Sequence, residues 1–151
     1  LGLNETVHNP ANRWSAAALK TKMFWQSKNI VSPFLVYDGS GLSPRNKVSS
    51  RFMVEVLKYM NSSANSLVFQ KSLAVGGVSG TLRNMWQEDR YKGRVVAKSG
   101  TMEGVLNYAG YLRTNSGRKV AFSVMINNYT GTSEYTKEYI VALISEWIDL
   151  L

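Results

Sequence analysis

The chain has no cysteine and a single histidine, and these two scarcities remove whole classes of chemistry. Without thiols there is no disulfide framework and no thiolate metal centre. A Ser-His-Asp triad would have to use His8, which sits near an end expected to fray. One imidazole leaves little for a metal site, and acidic residues such as Glu88-Asp89 form no ligand pattern, so neither a metal nor another cofactor is expected. No apolar run is long enough to span a membrane. Neither GxGxxG nor GxxxxGK[ST] occurs, so the glycines of Gly76-Gly77-Val78-Ser79-Gly80 serve backbone conformation rather than a phosphate.

What is present suits a folded domain. The chain has 151 residues, 44% of them hydrophobic and 11% aromatic, enough for a core and too apolar for wholesale disorder. A formal net charge of +8 invites an anionic partner. The basic residues are scattered, however, with nothing longer than the pair Arg118-Lys119, so nucleic acid is not expected as a partner. The chain begins at Leu1 rather than Met, which suggests a processed or truncated product and makes a missing leader uninformative about compartment.

Periodicity gives a coarse order of elements. Residues 12–28 read as a helix with Ala16, Leu19 and Met23 at helical spacing. Phe34 to Tyr37 reads as a short buried strand ended by Asp38-Gly39. Gly41 and Pro44 keep residues 40–47 irregular. Ser49 or Ser50 is expected to cap a helix whose apolar stripe is Met53, Val56, Leu57 and Met60. Leu67 to Leu73 reads as a short helix, and Thr81 as the cap of one helical turn. Residues 104–113 and 118–127 read as strands flanking the turn Thr114-Asn115-Ser116-Gly117. Thr132 or Ser133 opens a last helix with the apolar face Ile140, Ile144, Trp147 and Leu151. An antiparallel sheet covered by helices, an α+β fold, follows from this order.

No string in the chain fits a hydrolase nucleophile motif in the right local structure. Asp38-Gly39-Ser40-Gly41 misses GxSxG because Asp38 holds the first glycine position. A lysine-dependent hydrolase needs no histidine, but it needs Ser-x-x-Lys on one helical turn so that the amine reaches the hydroxyl. Ser116-Gly117-Arg118-Lys119 has those letters, yet it falls in a hairpin turn. Ser27-Lys28-Asn29 and Ser63-Ala64-Asn65 satisfy Ser-x-Asn only as short strings at a helix end and a loop.

Lys98-Ser99-Gly100-Thr101 is different, because it ends one apolar run, Arg94 to Ala97, and precedes another strand. Lys-Ser/Thr-Gly in that setting is the third signature of penicillin-binding proteins and serine β-lactamases. Asp38-Gly39-Ser40-Gly41-Leu42-Ser43, Gly76-Gly77-Val78-Ser79-Gly80-Thr81-Leu82-Arg83, Ala97 to Thr101 and Asn107-Tyr108-Ala109-Gly110-Tyr111 occur in that order. Together they resemble the C-terminal portion of the class C, low-molecular-mass penicillin-binding proteins, the D-alanyl-D-alanine carboxypeptidase and endopeptidase family. The resemblance covers nearly the whole chain. Asp38 and Ser40 match a family signature but read as a structural turn.

The resemblance implies the penicillin-binding protein/serine β-lactamase-like transpeptidase fold, with residues 1–151 as a C-terminal portion that is not a complete domain. It implies a serine peptidase acting on peptidoglycan stem peptides through an acyl-serine, trapped by β-lactams, in the periplasm or cell envelope. The nucleophile would lie upstream, so the partners include the N-terminal part of the same chain, and the portion alone should be inactive. A homodimer is also allowed. Lys98 would place positive charge beside the nucleophile, Ser99 would bind the terminal carboxylate, and Gly100 would let substrate lie along the strand. The Thr101 N–H would be half of an oxyanion hole. Arg45, Met102 and Glu103 would line the pocket for the stem's side chain, with Pro44 standing where the family has arginine. A β-lactamase or esterase of the same fold is the near alternative. A non-catalytic basic module binding an anionic polymer is the distant one.

Overall fold

A computed structural model describes residues 10–151, with side chains from residue 16 onward; His8 lies outside the described residues. The chain divides into two compact units, one up to Val56 and one from Leu57 to Leu151.

In the first unit, α1 (Pro10–Gln26) ends where Asn29 takes a positive φ of 59°, a conformation asparagine tolerates. β1 (Phe34–Leu35) and β2 (Lys47–Val48) form a two-residue antiparallel ladder. The strand expected at Phe34 to Tyr37 is thus shorter than its apolar letters suggest, and it is not buried, since Leu35 is 47% exposed. Asp38 organises the loop between them. Its carboxylate accepts from the Gly41 and Ser43 N–H groups (2.9 and 2.8 Å) and from Asn46 Nδ2 (2.9 Å). The Asn46 bond, then the two backbone donors, hold its carboxyl below the usual range, because each favours the charged form. The Asp38-Gly39-Ser40-Gly41 stretch is accordingly a structural turn. Phe52 is buried and stacks on Phe34, ring centroids 4.3 Å apart.

α2 (Ser50–Ser62) is capped by Ser49, whose Oγ accepts from the Phe52 N–H at 3.1 Å. Of its expected stripe, Leu57 is buried. α3 (Ser66–Lys71) has no buried residue.

The second unit is built on a four-stranded antiparallel sheet in the order β3 (Ala74–Val75), β4 (Val95–Met102), β5 (Val105–Arg113), β6 (Lys119–Asn127). β3 was not expected, because two paired residues beside a glycine-rich loop carry no period. β4 and β5 pair without a break from Val95↔Leu112 to Met102↔Val105. α4 (Ser133–Leu150) covers one face. Its cap is Thr132, whose side chain accepts from the Tyr135 N–H at 3.2 Å. Ile140, Ile144 and Ile148 of α4 are buried with Val95, Ala97, Leu106, Tyr108, Leu112 and Phe122, and Trp147 packs at the margin. The helix therefore presents the residues 140, 144 and 148, whereas Leu151, expected on that face, falls beyond the helix and is exposed.

Candidate active site

The strand that forms the core also leaves it. In β4, Val95 and Ala97 are fully buried, while Lys98 and every residue from Gly100 to Glu103 are exposed and Ser99 is half-buried. The cause is the length of the neighbour. β3 covers β4 only at Ala74↔Ala97 and Val75↔Val96, so the outer edge is unpaired beyond Ala97 among the described residues.

Parity fixes which backbone groups that edge offers. Successive residues of a strand direct their N–H and C=O to opposite edges. The Val95 carbonyl accepts from the Gly76 N–H (2.8 Å) on the β3 side, and the Arg94 carbonyl accepts from the Arg113 N–H (2.9 Å) on the β5 side. Counted in twos along the unbroken register, the backbone groups of Ser99 and Thr101 face the open edge. Such an edge is a template for an extended peptide.

Side chains alternate the other way. Lys98, Gly100 and Met102 stand on the sheet face opposite the one α4 covers, in rows with Ala109, Asn107 and Val105. On that face Asn107 Oδ1 and, across from Ala109, Ser123 Oγ are buried without hydrogen-bond partners among the described residues. The Lys98 ammonium donates to the Ser99 carbonyl oxygen. A Cβ on Gly100 would meet only the Asn107 Cβ, at 3.9 Å, so nothing among the described residues requires glycine there. Ser99 Oγ donates to Thr81 Oγ1 at 2.8 Å.

Five of the expected site residues, Lys98, Ser99, Gly100, Thr101 and Met102, thus lie in one strand segment, exposed except at the half-buried Ser99, with Glu103 in the turn to β5. Arg45 belongs to the first unit, where its guanidinium stands 5.6 Å from the Tyr37 ring centroid. Thr81 does not cap a helix. It lies inside the 3-10 turn Gly80–Leu82, preceded by Ser79 as cap residue. Its partner is 18 residues away in sequence, and no local pattern could have indicated it.

The rejected nucleophile strings are accounted for by other bonds. Ser116 Oγ pairs with Thr114 Oγ1 (2.8 Å) and donates to the Leu151 carbonyl (3.0 Å). Lys119 Nζ turns instead to Gln70 Oε1 (3.0 Å) and Asn61 Oδ1 (3.3 Å). Ser27 and Ser63 donate to the carbonyls of Phe24 and Met60 at helix ends. A cleft of about 650 Å³ lies between the 3-10 turn and α4, but its Glu88–Arg90 and Glu134–Lys137 charges are paired with each other. None of the sequence-predicted site residues lines it. No group of three or more possible metal ligands occurs among the described residues.

A mixed fold, an antiparallel sheet with α4 on one face, puts the chain in the class of penicillin-binding proteins and related peptidases. The chain belongs to the D-Ala-D-Ala carboxypeptidase 3 (S13) family, whose model matches residues 6–148. It is 36% identical over 98 residues to the D-alanyl-D-alanine carboxypeptidase DacB of Haemophilus influenzae, a match covering 64% of this chain and 20% of that protein. It is 31% identical to the D-alanyl-D-alanine carboxypeptidase of an Actinomadura species over 88% of this chain and 26% of that one. Penicillin-binding protein 4 (dacB) of Haemophilus influenzae, solved in complex with a novel β-lactam, superposes with a TM-score of 0.81 at 29% identity. That match covers 90% of this chain and 34% of the solved one. The chain therefore spans about a fifth to a third of the length of these relatives.

Proposed function

We propose that residues 1–151 are the C-terminal portion of a serine-type D-Ala-D-Ala carboxypeptidase or endopeptidase that acts on peptidoglycan stem peptides in the periplasm or cell envelope. The observation that carries this reading is the open edge of β4 beyond Ala97, in a chain matched by the carboxypeptidase family over nearly its whole length. An extended stem peptide adds to that edge as a strand, between the outward backbone groups of Ser99 and Thr101. Gly100 leaves room for the peptide to lie close. The Ser99 hydroxyl donates to the terminal carboxylate. The Thr101 N–H stabilises the oxyanion as the acyl-serine forms, together with the N–H of the nucleophile itself.

Lys98 supplies positive charge beside the nucleophile, and Met102 and Glu103 meet the stem's side chain. The nucleophilic serine lies outside residues 1–151, so the portion alone binds and orients but does not turn over. β-Lactams acylate the same serine. No helix among the described residues is long and apolar enough to cross a membrane.

Intact mass of the full-length protein with and without benzylpenicillin tests the reading. One penicilloyl adduct mapping outside residues 1–151 is expected. An unmodified, folded protein would remove the enzyme reading and leave a basic, non-catalytic module. Rapid loss of the adduct would favour a β-lactamase of the same fold, and turnover by residues 1–151 alone would refute the missing nucleophile.

A further inference from the structure

The glycine-rich loop finds its use in one hydrogen bond. The loop leaves β3, turns through Gly77 and Gly80, both at positive φ (70° and 59°), and returns to β4 at the point where the edge opens. Neither glycine can be replaced cheaply. A Cβ at Gly77 would sit 2.6 Å from the Trp86 carbonyl oxygen, and one at Gly80 would sit 2.9 Å from the Ala74 Cβ. The Gly77 N–H bonds the Leu82 carbonyl (3.1 Å), the Ser79 hydroxyl accepts from the Val75 N–H (3.2 Å), and Leu82 is fully buried. Thr81, between two such anchored residues, is exposed and points its hydroxyl at Ser99.

We propose that Thr81 is a positioning residue that holds the Ser99 hydroxyl in register for the substrate's terminal carboxylate; this rests on the reading that Ser99 binds that carboxylate. A serine on an exposed strand end has three staggered choices of χ1 and no γ-methyl to restrict them. The bond to Thr81 selects one. Each hydroxyl has one donor and two acceptor sites. Without substrate, Ser99 donates to Thr81 at 2.8 Å. When a carboxylate arrives, Ser99 donates to it and Thr81 donates to Ser99, so the same pair of oxygens stays in contact while the protons turn. The resulting chain, Thr81 O–H to Ser99 O–H to carboxylate, is polarised in one direction and strengthens the terminal bond. Thr81 never touches the substrate and acts only through Ser99.

The test compares two peptides on the full-length enzyme, one ending in a free D-alanine carboxylate and one in the corresponding amide. Thr81→Val is expected to lower kcat/KM about tenfold on the carboxylate peptide, the size of one lost hydrogen bond to a charged system, with the change in KM. The amide peptide should change less than twofold, and Thr81→Ser should restore the carboxylate preference. In a Ser99→Ala background Thr81→Val should add nothing. Ser99→Thr, whose γ-methyl limits χ1, should make the enzyme less dependent on Thr81. Equal losses on both peptides, or a full additional loss in the Ser99→Ala background, would overturn the proposal. If Ser99→Ala itself leaves carboxylate preference intact, the carboxylate role of Ser99 falls and the proposal with it. Should Thr81→Val not fold, Thr81→Ala makes the same comparison.

Discussion

Val95 to Ala97 and Lys98 to Met102 are two halves of one strand in one unbroken register, and they differ in what their neighbours leave open. The first half is paired on both edges and roofed by α4. The second is paired on one edge only. Two glycines in adjoining stretches of the ladder make the difference concrete. Gly110, opposite Ala97, could not carry a side chain, because its Cβ would lie 2.1 Å from the Val96 carbonyl oxygen and 2.5 Å from the Ala97 Cα. Gly100 would meet nothing closer than 3.9 Å. One glycine answers to packing, while the demand for the other must come from something the sheet itself does not contain. A short β3 is thus enough to turn a core strand into an open edge.

The packed half should break first. Gly110→Ala forces β4 and β5 apart, and about 3 kcal/mol of stability should be lost, the upper part of the usual cost of overpacking. Val95→Ala, at a position with no exposed surface, should cost about 2 kcal/mol through lost contacts and the cavity left behind. Denaturant midpoints of the full-length protein measure both. A midpoint for Gly110→Ala within error of the parent would mean that the strands can separate freely there.

How far this contrast could be read from the letters depended on whether a feature was local. The β5–β6 hairpin was legible, since two apolar runs flank Thr114 to Gly117 and Gly117 takes the positive φ of 83° that such a turn needs. The cap at Thr132 was legible for the same reason. The Lys98-Ser99-Gly100 motif was legible as a string, but its exposure was not, because it follows from where β3 stops. β3 is two residues long and carries no periodicity. The inner face of α4 is legible at Ile140 and Ile144 and differs only at its end, since Ile148 and Leu151 are both apolar and only the sheet beneath decides between them. The letters make Thr81 a local cap, and its contact with Ser99 exists only in three dimensions.

The open half should tolerate in stability what it refuses in function. Gly100→Ala should change stability by less than about 0.5 kcal/mol, as surface substitutions do. Acylation of the full-length enzyme by benzylpenicillin should nevertheless slow at least tenfold, about 1.4 kcal/mol of transition-state stabilisation, because the new methyl stands on the open sheet face beside the edge where the peptide or its mimic lies. Stopped-flow acylation and a thermal melt on the same sample decide this. A fall in stability as large as that of Gly110→Ala would erase the distinction between the two glycines.

The smallest effect expected is one of pH, and it belongs to the packed half. Tyr91, just before β4, donates its hydroxyl to Asp149 Oδ2 at 2.8 Å, and Asn115 Nδ2 donates to Asp149 Oδ1 at 2.9 Å. These join the loop before β4, the β5–β6 turn and the end of α4. The Tyr91 hydroxyl, with help from Asn115, Arg90 and Arg94, holds the Asp149 carboxyl below its ordinary 3.8. The same bond raises the Tyr91 phenol above its ordinary 10.0. A carboxyl lowered by folding stabilises the fold above its unfolded pKa and ceases to do so as pH falls through the folded value. A phenol raised by folding stabilises below its unfolded pKa and fails as pH rises through the folded one. The clamp is therefore complete from above about pH 4 to below about pH 10, with the unfolded values as its limits. Asp149→Asn should flatten the acid limb of a plot of melting temperature against pH while leaving the acylation rate at neutral pH unchanged. An acid limb identical to the parent's would show that other carboxylates carry it, and a slowed acylation would show that the two halves of β4 are coupled.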